Sequence, residues 1–281
     1  MVEVTESTSE FMREKPKGAP RIALIDVETS LMKGYFFGTF KQNIPLECIE
    51  QDWNMLSFAA KWHGVPHVLY QDLSAQRNPT NDKRLCTSLH RILREADVVI
   101  AHNGKRFDMR KIRARMAHNR MAPIPNVRVI DTLTESRKQF GFTSHKLIYL
   151  TEKFGENGER KGEHLKFPGL KLWLECQKGN PEAWEEMKEY NVPDVTTMEA
   201  MYNELRGWYQ GAQNLAVFLP SILEGKACPN CTSTNVKLER GKYVYTQVSV
   251  FQRYHCGDCG AYARGRSQVR SREDRSHIIL N

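Results

Sequence analysis

Residues 21–30, RIALIDVETS, constrain this chain more than any other stretch. Ile22, Ala23, Leu24 and Ile25 run unbroken into Asp26, Val27 and Glu28. A short apolar run that ends in charge predicts a buried strand surfacing at its C-terminal end. Side chains alternate along a strand, so Asp26 and Glu28 point to one face. Two ionised carboxylates side by side repel each other. A divalent cation would offset that repulsion directly; the plainer alternative is a charged strand end facing water.

The pattern that follows predicts an α/β fold. GYFFGTFKQN (34–43) is rich in aromatic residues and predicts a strand paired with the first. MLSFAAKWHG (55–64) and PHVLY (66–70) predict two more strands. QDLSAQRNPT (71–80) reads as a loop. Leu85, Leu89, Ile92 and Leu93 recur at helical spacing within residues 81–97. VVIA (98–101) predicts a short buried strand running into a helix that starts at His102, with Asn103 as its N-cap. NVRVI (126–130) predicts a strand, KLIYLTEKFG (146–155) a helix stopped at Gly155, and residues 181–209 a long helix. Strands first, then alternating helices and strands, indicate a mixed sheet with helices on its faces.

Two more acids stand where such sheets place ligands. Asp108 follows a buried strand and lies one turn before Ile112, on the core-facing side of its helix. Pairing with Lys111 or Arg115 is the alternative role. In the long helix Trp184, Met187, Tyr190, Asp194, Met198, Met201 and Leu205 step by three or four. A carboxylate inside an apolar stripe needs a partner. Tyr190 lies one turn before it on the same face. Pro193 removes a backbone donor between them, so a kink or helix restart is expected.

Taken together these residues resemble the DEDD superfamily of 3′→5′ exonucleases on the ribonuclease H-like fold. The motifs are Asp26-Val27-Glu28-Thr29, then Asn103-Gly104-Lys105-Arg106-Phe107-Asp108, then Tyr190-Asn191-Val192-Pro193-Asp194. The Tyr-x3-Asp spacing is similar to the tyrosine subclass, as in exonuclease domains of family B DNA polymerases. Val129-Ile130-Asp131-Thr132-Leu133, and Lys146-Leu147 with Leu150, Phe154 and Gly155, also look like the family. Pro193 departs from the usual pattern. The resemblance spans about residues 20–207. It implies that Asp26, Glu28, Asp108 and Asp194 hold two Mg²⁺ or Mn²⁺ ions, with Asp26 bridging them and Asp108 acting through water. Such ions, about 4 Å apart, activate water, neutralise the phosphate and hold the leaving oxygen. Tyr190 would orient the attacking water. Asn103 would touch the scissile nucleotide and Phe107 would stack on terminal bases. Asp131 is expected to cap the helix after it rather than bind metal.

The C-terminal part carries a second metal signal. Four of the seven cysteines form Cys228-Pro-Asn-Cys231 and Cys256-Gly-Asp-Cys259. Two Cys-x2-Cys pairs match tetrahedral zinc held by four thiolates, which leaves no open position and makes the ion structural. NVKLE and YVYTQVSVFQRYH around Arg240-Gly241 predict a hairpin between the pairs, so the module resembles a zinc ribbon. Cys48, Cys86 and Cys176 are expected to pack. The expected organisation is a disordered lead-in (1–19), an exonuclease domain (20–209), a linker (210–227), a zinc ribbon (228–263) and a basic disordered tail (264–281) with five arginines.

Charge names the class of partner. The formal net charge is +8, which favours a polyanion such as nucleic acid. Single-stranded DNA 3′ ends are the expected substrate. RNA stays open, since nothing in the chain reads a sugar hydroxyl. A DNA polymerase or other replication protein is a possible partner, and an inactive nucleic-acid-binding scaffold is the alternative function. Arg160, Lys161, His164 and Lys166 in the loop 156–170 either line the strand groove or are solvated. No apolar run is long enough to span a bilayer and the first residues lack the apolar segment of a leader, so no membrane association and a cytoplasmic location are expected.

Overall fold

The computed structural model describes residues 2–41, 43–155, 166–219 and 225–279. In chain order its elements are β1 (Glu3–Thr5), α1 (Thr8–Arg13), β2 (Ile22–Thr29), β3 (Lys33–Gly34), β4 (Ile49–Gln51), β5 (Met55–Trp62), β6 (His67–Asp72) and α2 (Lys83–Glu95). Then come β7 (Val98–Ala101), α3 (Asp108–His118), β8 (Arg128–Asp131), α4 (Thr132–Gln139), α5 (Leu147–Phe154), α6 (Lys171–Gln177) and α7 (Pro181–Leu205). The C-terminal part holds β9 (Val236–Tyr245), β10 (Val250–Cys256), β11 (Tyr262–Gln268) and α8 (Arg272–Ser276). Among the described residues no helix is long and apolar enough to cross a membrane.

A six-stranded mixed sheet in the order β1-β6-β5-β2-β7-β8 carries the molecule. β2 lies at its middle, antiparallel to β5 and parallel to β7. Its alternation splits the core as expected of a strand buried on both faces. Ala23, Ile25 and Val27 join one cluster, with α2, α3, α6 and the start of α7. Ile22 and Leu24 join the other, with α5 and the second half of α7. α7 therefore serves both faces: Trp184 and Met187 pack on one, Val195, Met198 and Met201 on the other. Tyr190, Asn191 and Asp194 lie at the changeover. The helix continues through Pro193, whose carbonyl accepts from the Thr196 and Thr197 hydroxyls.

Several local expectations are corrected. Among the described residues of 34–43 none pairs with β2: the strand there is Lys33–Gly34, and it pairs with β4. Tyr35, Phe36 and Phe37 are consecutive and exposed, so they lack the alternation a half-buried strand needs. The lead-in is not disordered over residues 3–13. β1 adds to the sheet edge beside β6, and Phe11 of α1 is fully buried, stacked on Trp62 at 5.6 Å. Burying that one ring contributes about 1.5–3 kcal/mol, which adds to the β1–β6 backbone bonds in holding the segment. The residues expected as a linker include Leu215, buried against the core. The expected turn at Arg240-Gly241 is a bulge inside β9, with Gly241 at φ +73°, and the hairpin turns instead at residues 246–249. The expected disordered tail contributes β11, which pairs with β10 through Gln268, and then α8 with a Ser271–Asp274 capping box. Arg160, Lys161 and His164 lie outside the described residues. Lys166 is exposed and pairs with Glu182 at 3.6 Å.

Candidate active site

β2 ends by delivering Asp26 and Glu28 to one side, and α7 delivers Asp194 to the same place. One carboxylate oxygen from each of the three lies within 4.8 Å of the others. Asp194 is buried, whereas Asp26 and Glu28 are half-buried, so the cluster opens outward. Three anionic oxygens at this spacing are a hard donor set of the kind that holds Mg²⁺ or Mn²⁺.

Neighbouring groups fix the orientation of these acids. Asn191 Nδ2 donates to Asp26 Oδ2 at 2.5 Å, and Ser57 Oγ on β5 donates to Asn191 Oδ1 at 3.2 Å. Trp173 Nε1 on α6 donates to Glu28 Oε2 at 2.9 Å. The Trp173 ring meets Tyr190 edge-on at 5.9 Å. The donors to Asp26 and Glu28 are uncharged, so they orient the carboxylates without neutralising them. Sequence reasoning missed Trp173, Asn191 and Ser57. Asn191 had a signal: Met187, Asn191, Asp194 and Met198 step by four, three and four along α7. Trp173 had none, because α6 is short and its role depends on where the sheet puts Glu28.

Asp108 stands beside this trio rather than in it. It is buried at the start of α3 and accepts from the Val27 N–H at 3.1 Å, the peptide between the two acids of β2. Burial pushes its carboxyl well above the usual range, and the negative charge of Asp26 adds to the push. Its helix is anchored by Arg115, which does not pair with Asp108. Arg115 instead bonds the fully buried Asp82 through Nε at 2.5 Å and Nη2 at 3.1 Å. Asp82 also accepts from the Met55 N–H, tying α3 to β5.

The turn before α3 differs from expectation. Asn103 is not the helix N-cap; α3 begins at Asp108 with Phe107 as its cap residue. Asn103 sits at φ +65°, a left-handed conformation that Asn tolerates better than most residues. Gly104 is required next to it, since a Cβ there would lie 2.4 Å from Ala101 Cβ. Asp131 holds the turn, accepting from the N–H groups of Asn103 at 3.1 Å and Lys105 at 3.0 Å. It also caps α4 through the Thr134 N–H, as expected. Phe107 is partly exposed.

The four cysteines converge in a second cluster. Cys228, Cys231, Cys256 and Cys259 each place a sulfur within 4.8 Å of the others. The Cys228–Cys259 and Cys231–Cys256 sulfurs are 3.6 and 3.7 Å apart. Zinc–thiolate bonds of 2.3 Å at tetrahedral angles put sulfurs about 3.8 Å apart, so the cluster fits that ion and is far too wide for disulfides. Burial raises Cys231 to about 11. Burial also opposes ionisation of Cys256, but hydrogen bonds from the backbone N–H groups of Cys259 and Asp258, together with those from the Cys231 and Cys259 side chains, outweigh it and bring that thiol down to about 7. The module rests on the C-terminal end of α7. Asn230 Nδ2 donates to Arg206 O at 2.7 Å, and the Leu215 N–H donates to Pro229 O at 2.7 Å. Gly207 lies so close that a Cβ there would be 2.0 Å from Cys259 O.

Comparison with known proteins agrees with this architecture. The family model described as the RNase H superfamily matches residues 60–206, just over half of the chain. The match includes Asp108, Tyr190 and Asp194 and begins after the Asp26–Glu28 strand. Among solved structures the chain is similar to the family B DNA polymerase of Pyrobaculum calidifontis, with a TM-score of 0.50 and 16% identity. That likeness covers 68% of this chain and only 25% of the polymerase. It is also similar to RNase D of Trypanosoma brucei, with a TM-score of 0.43 and 14% identity over 81% of this chain and 77% of that one. No curated protein sequence matches it.

Proposed function

The chain belongs to the RNase H superfamily, and from that premise we propose that it is a metal-dependent 3′→5′ exonuclease of the DEDD type with tyrosine in its third motif. It hydrolyses the terminal phosphodiester of single-stranded DNA and releases nucleoside 5′-monophosphates. The observation that carries this reading is the meeting of Asp26, Glu28 and Asp194 within 4.8 Å, with Asp108 bonded to the peptide between the first two.

Asp26, Glu28 and Asp194 would hold the catalytic divalent ions, with Asp108 supporting from behind. A divalent pair held by these residues would supply Lewis acidity, lowering the pKa of a water and neutralising the phosphate. The chain's own groups do the positioning. Asn191 and Trp173 hold Asp26 and Glu28 in fixed orientations, which spares the site reorganisation during reaction. Tyr190, on the helix turn before Asp194, would accept or donate a hydrogen bond to the attacking water without ionising. A bond forms from the water oxygen to phosphorus as the bond to the 3′ oxygen breaks, and that oxygen leaves with a proton. Phe107 and Asn103, on the turn that Asp131 braces, would contact the terminal nucleotides. The four-cysteine module would carry one structural Zn²⁺. A role in proofreading or repair beside a polymerase follows from the same reading.

The test is release of labelled mononucleotide from a 3′-labelled oligonucleotide in Mg²⁺ or Mn²⁺, stopped by EDTA, with matched DNA and RNA arms. Stepwise release from DNA supports the proposal. Faster release from RNA makes the enzyme an exoribonuclease. Binding with no release in either arm makes it a nucleic-acid scaffold and overturns the proposal.

A further inference from the structure

Beyond Thr29 the chain leaves the sheet and carries a set of aromatic rings into solvent. The stem is closed by β3 and β4 and by the Tyr35 N–H donating to Cys48 O at 2.8 Å. Gly34 is needed in that stem, because a Cβ would lie 2.8 Å from Cys48 O. Beyond it Tyr35 and Phe36 are exposed and Phe37 is fully so. Burying such rings normally contributes a large part of a core's stability, so leaving them in water needs a reason.

The chain entering the stem is held on two sides, and one of them leads to the carboxylate cluster. Leu31 exchanges two hydrogen bonds with the Gln177 side chain, at 3.1 and 3.0 Å. Gln177 lies one turn after Trp173, which holds Glu28. Ser30 bonds Asn54 through the Asn54 backbone and side chain. Next to Asn54, Trp53 carries Lys111 Nζ 3.6 Å from its ring centre, and the same Nζ is 5.7 Å from the Phe107 ring. Lys111 thus links the ring of Phe107, on the turn before α3, to that of Trp53, one residue before the Asn54 that bonds Ser30.

We propose that the loop at residues 35–37 is a stacking platform for unpaired bases of the nucleic-acid strand whose end occupies the carboxylate site. The proposal rests on the nuclease reading and adds to it a second contact zone upstream of the terminal nucleotide. Flat rings each cover one face of a base whatever its identity, while Lys33 and Lys41 beside the loop and Lys105 and Arg110 near α3 can meet the phosphates between. An apolar protein groove would satisfy the rings alone. It would not account for the exposed lysines at both ends of the loop, Lys33 and Lys41, which complement a polyanion.

The experiment measures binding of a labelled oligothymidylate, an oligouridylate and an abasic oligomer of the same length, with Ca²⁺ replacing Mg²⁺. Phe36→Ala/Phe37→Ala is expected to weaken binding of both base-bearing strands about tenfold and to leave the abasic oligomer unchanged. Phe36→Trp/Phe37→Trp is expected to retain wild-type affinity. Both side chains point into solvent, so thermal denaturation should show no loss of fold. Unchanged affinity in the alanine variant overturns the proposal. So does full affinity in Phe36→Leu/Phe37→Leu, which keeps apolar surface without a ring. Wild-type self-association that the alanine variant loses also overturns it, by assigning the loop to a second copy. Should the wild type bind strands through these rings yet release no mononucleotide in Mg²⁺ or Mn²⁺, the nuclease reading fails and the stacking surface stands.

Discussion

The carboxylate cluster and the cysteine cluster are both donor sets that could hold a metal ion, but they are assembled in opposite ways. Asp26, Glu28 and Asp194 are brought together by a six-stranded sheet and a 25-residue helix that pack on two apolar clusters. The fold positions the acids, and an ion would relieve their mutual repulsion. Around the cysteines the buried cluster is little more than Cys228, Cys256 and Ala261. There an ion would supply the cohesion the module lacks. The difference predicts that the carboxylate cluster keeps its shape without an ion, whereas the cysteine module would depend on one.

The strongest way to break that contrast is to remove the thiolates. Cys256→Ser/Cys259→Ser should abolish binding of one zinc per chain and unfold the module completely. Amide hydrogen exchange should lose protection across β9–β11 while β2 and β5 keep theirs. Protection retained in β10 without zinc would contradict the comparison.

Asp194→Asn tests the other half. It should lower mononucleotide release on the order of 10⁴-fold. Its melting temperature in EDTA should be no lower than wild type, since one of three repelling charges is gone. A large destabilisation would show that the acids hold the fold.

A smaller effect is expected where the fold itself positions an acid. Arg115→Ala leaves Asp82 buried without its cation and should cost about 3–5 kcal/mol by denaturant titration. Smaller still, Trp173→Phe removes one hydrogen bond to a carboxylate. It should reduce kcat about tenfold with little change in stability.

The two regions also differ in how far their sequences disclose them. The cysteine pairs are local, so their spacing alone announces a four-sulfur cluster. The acids lie more than 160 residues apart, from Asp26 to Asp194, yet strand alternation and the apolar stripe of α7 made both readable. What stayed hidden depended on tertiary partners. Trp173 matters only because α6 packs beside Glu28. Phe11 sits in a polar segment whose strand is held by backbone bonds to β6, which leave no side-chain pattern. Tyr35, Phe36 and Phe37 have strand-like composition, but their rings face water. Gly241 reads as a turn residue, and the structure spends its positive φ on a bulge.

The central claim is that acids from β2 and α7 form one divalent-ion site. Titration of Mn²⁺ followed by electron paramagnetic resonance, with the cysteine module loaded with zinc, tests it most directly. The account predicts about two ions bound per chain, with Asp26→Asn and Asp194→Asn each disrupting the same site. Mn²⁺ binding unchanged in both variants would contradict it.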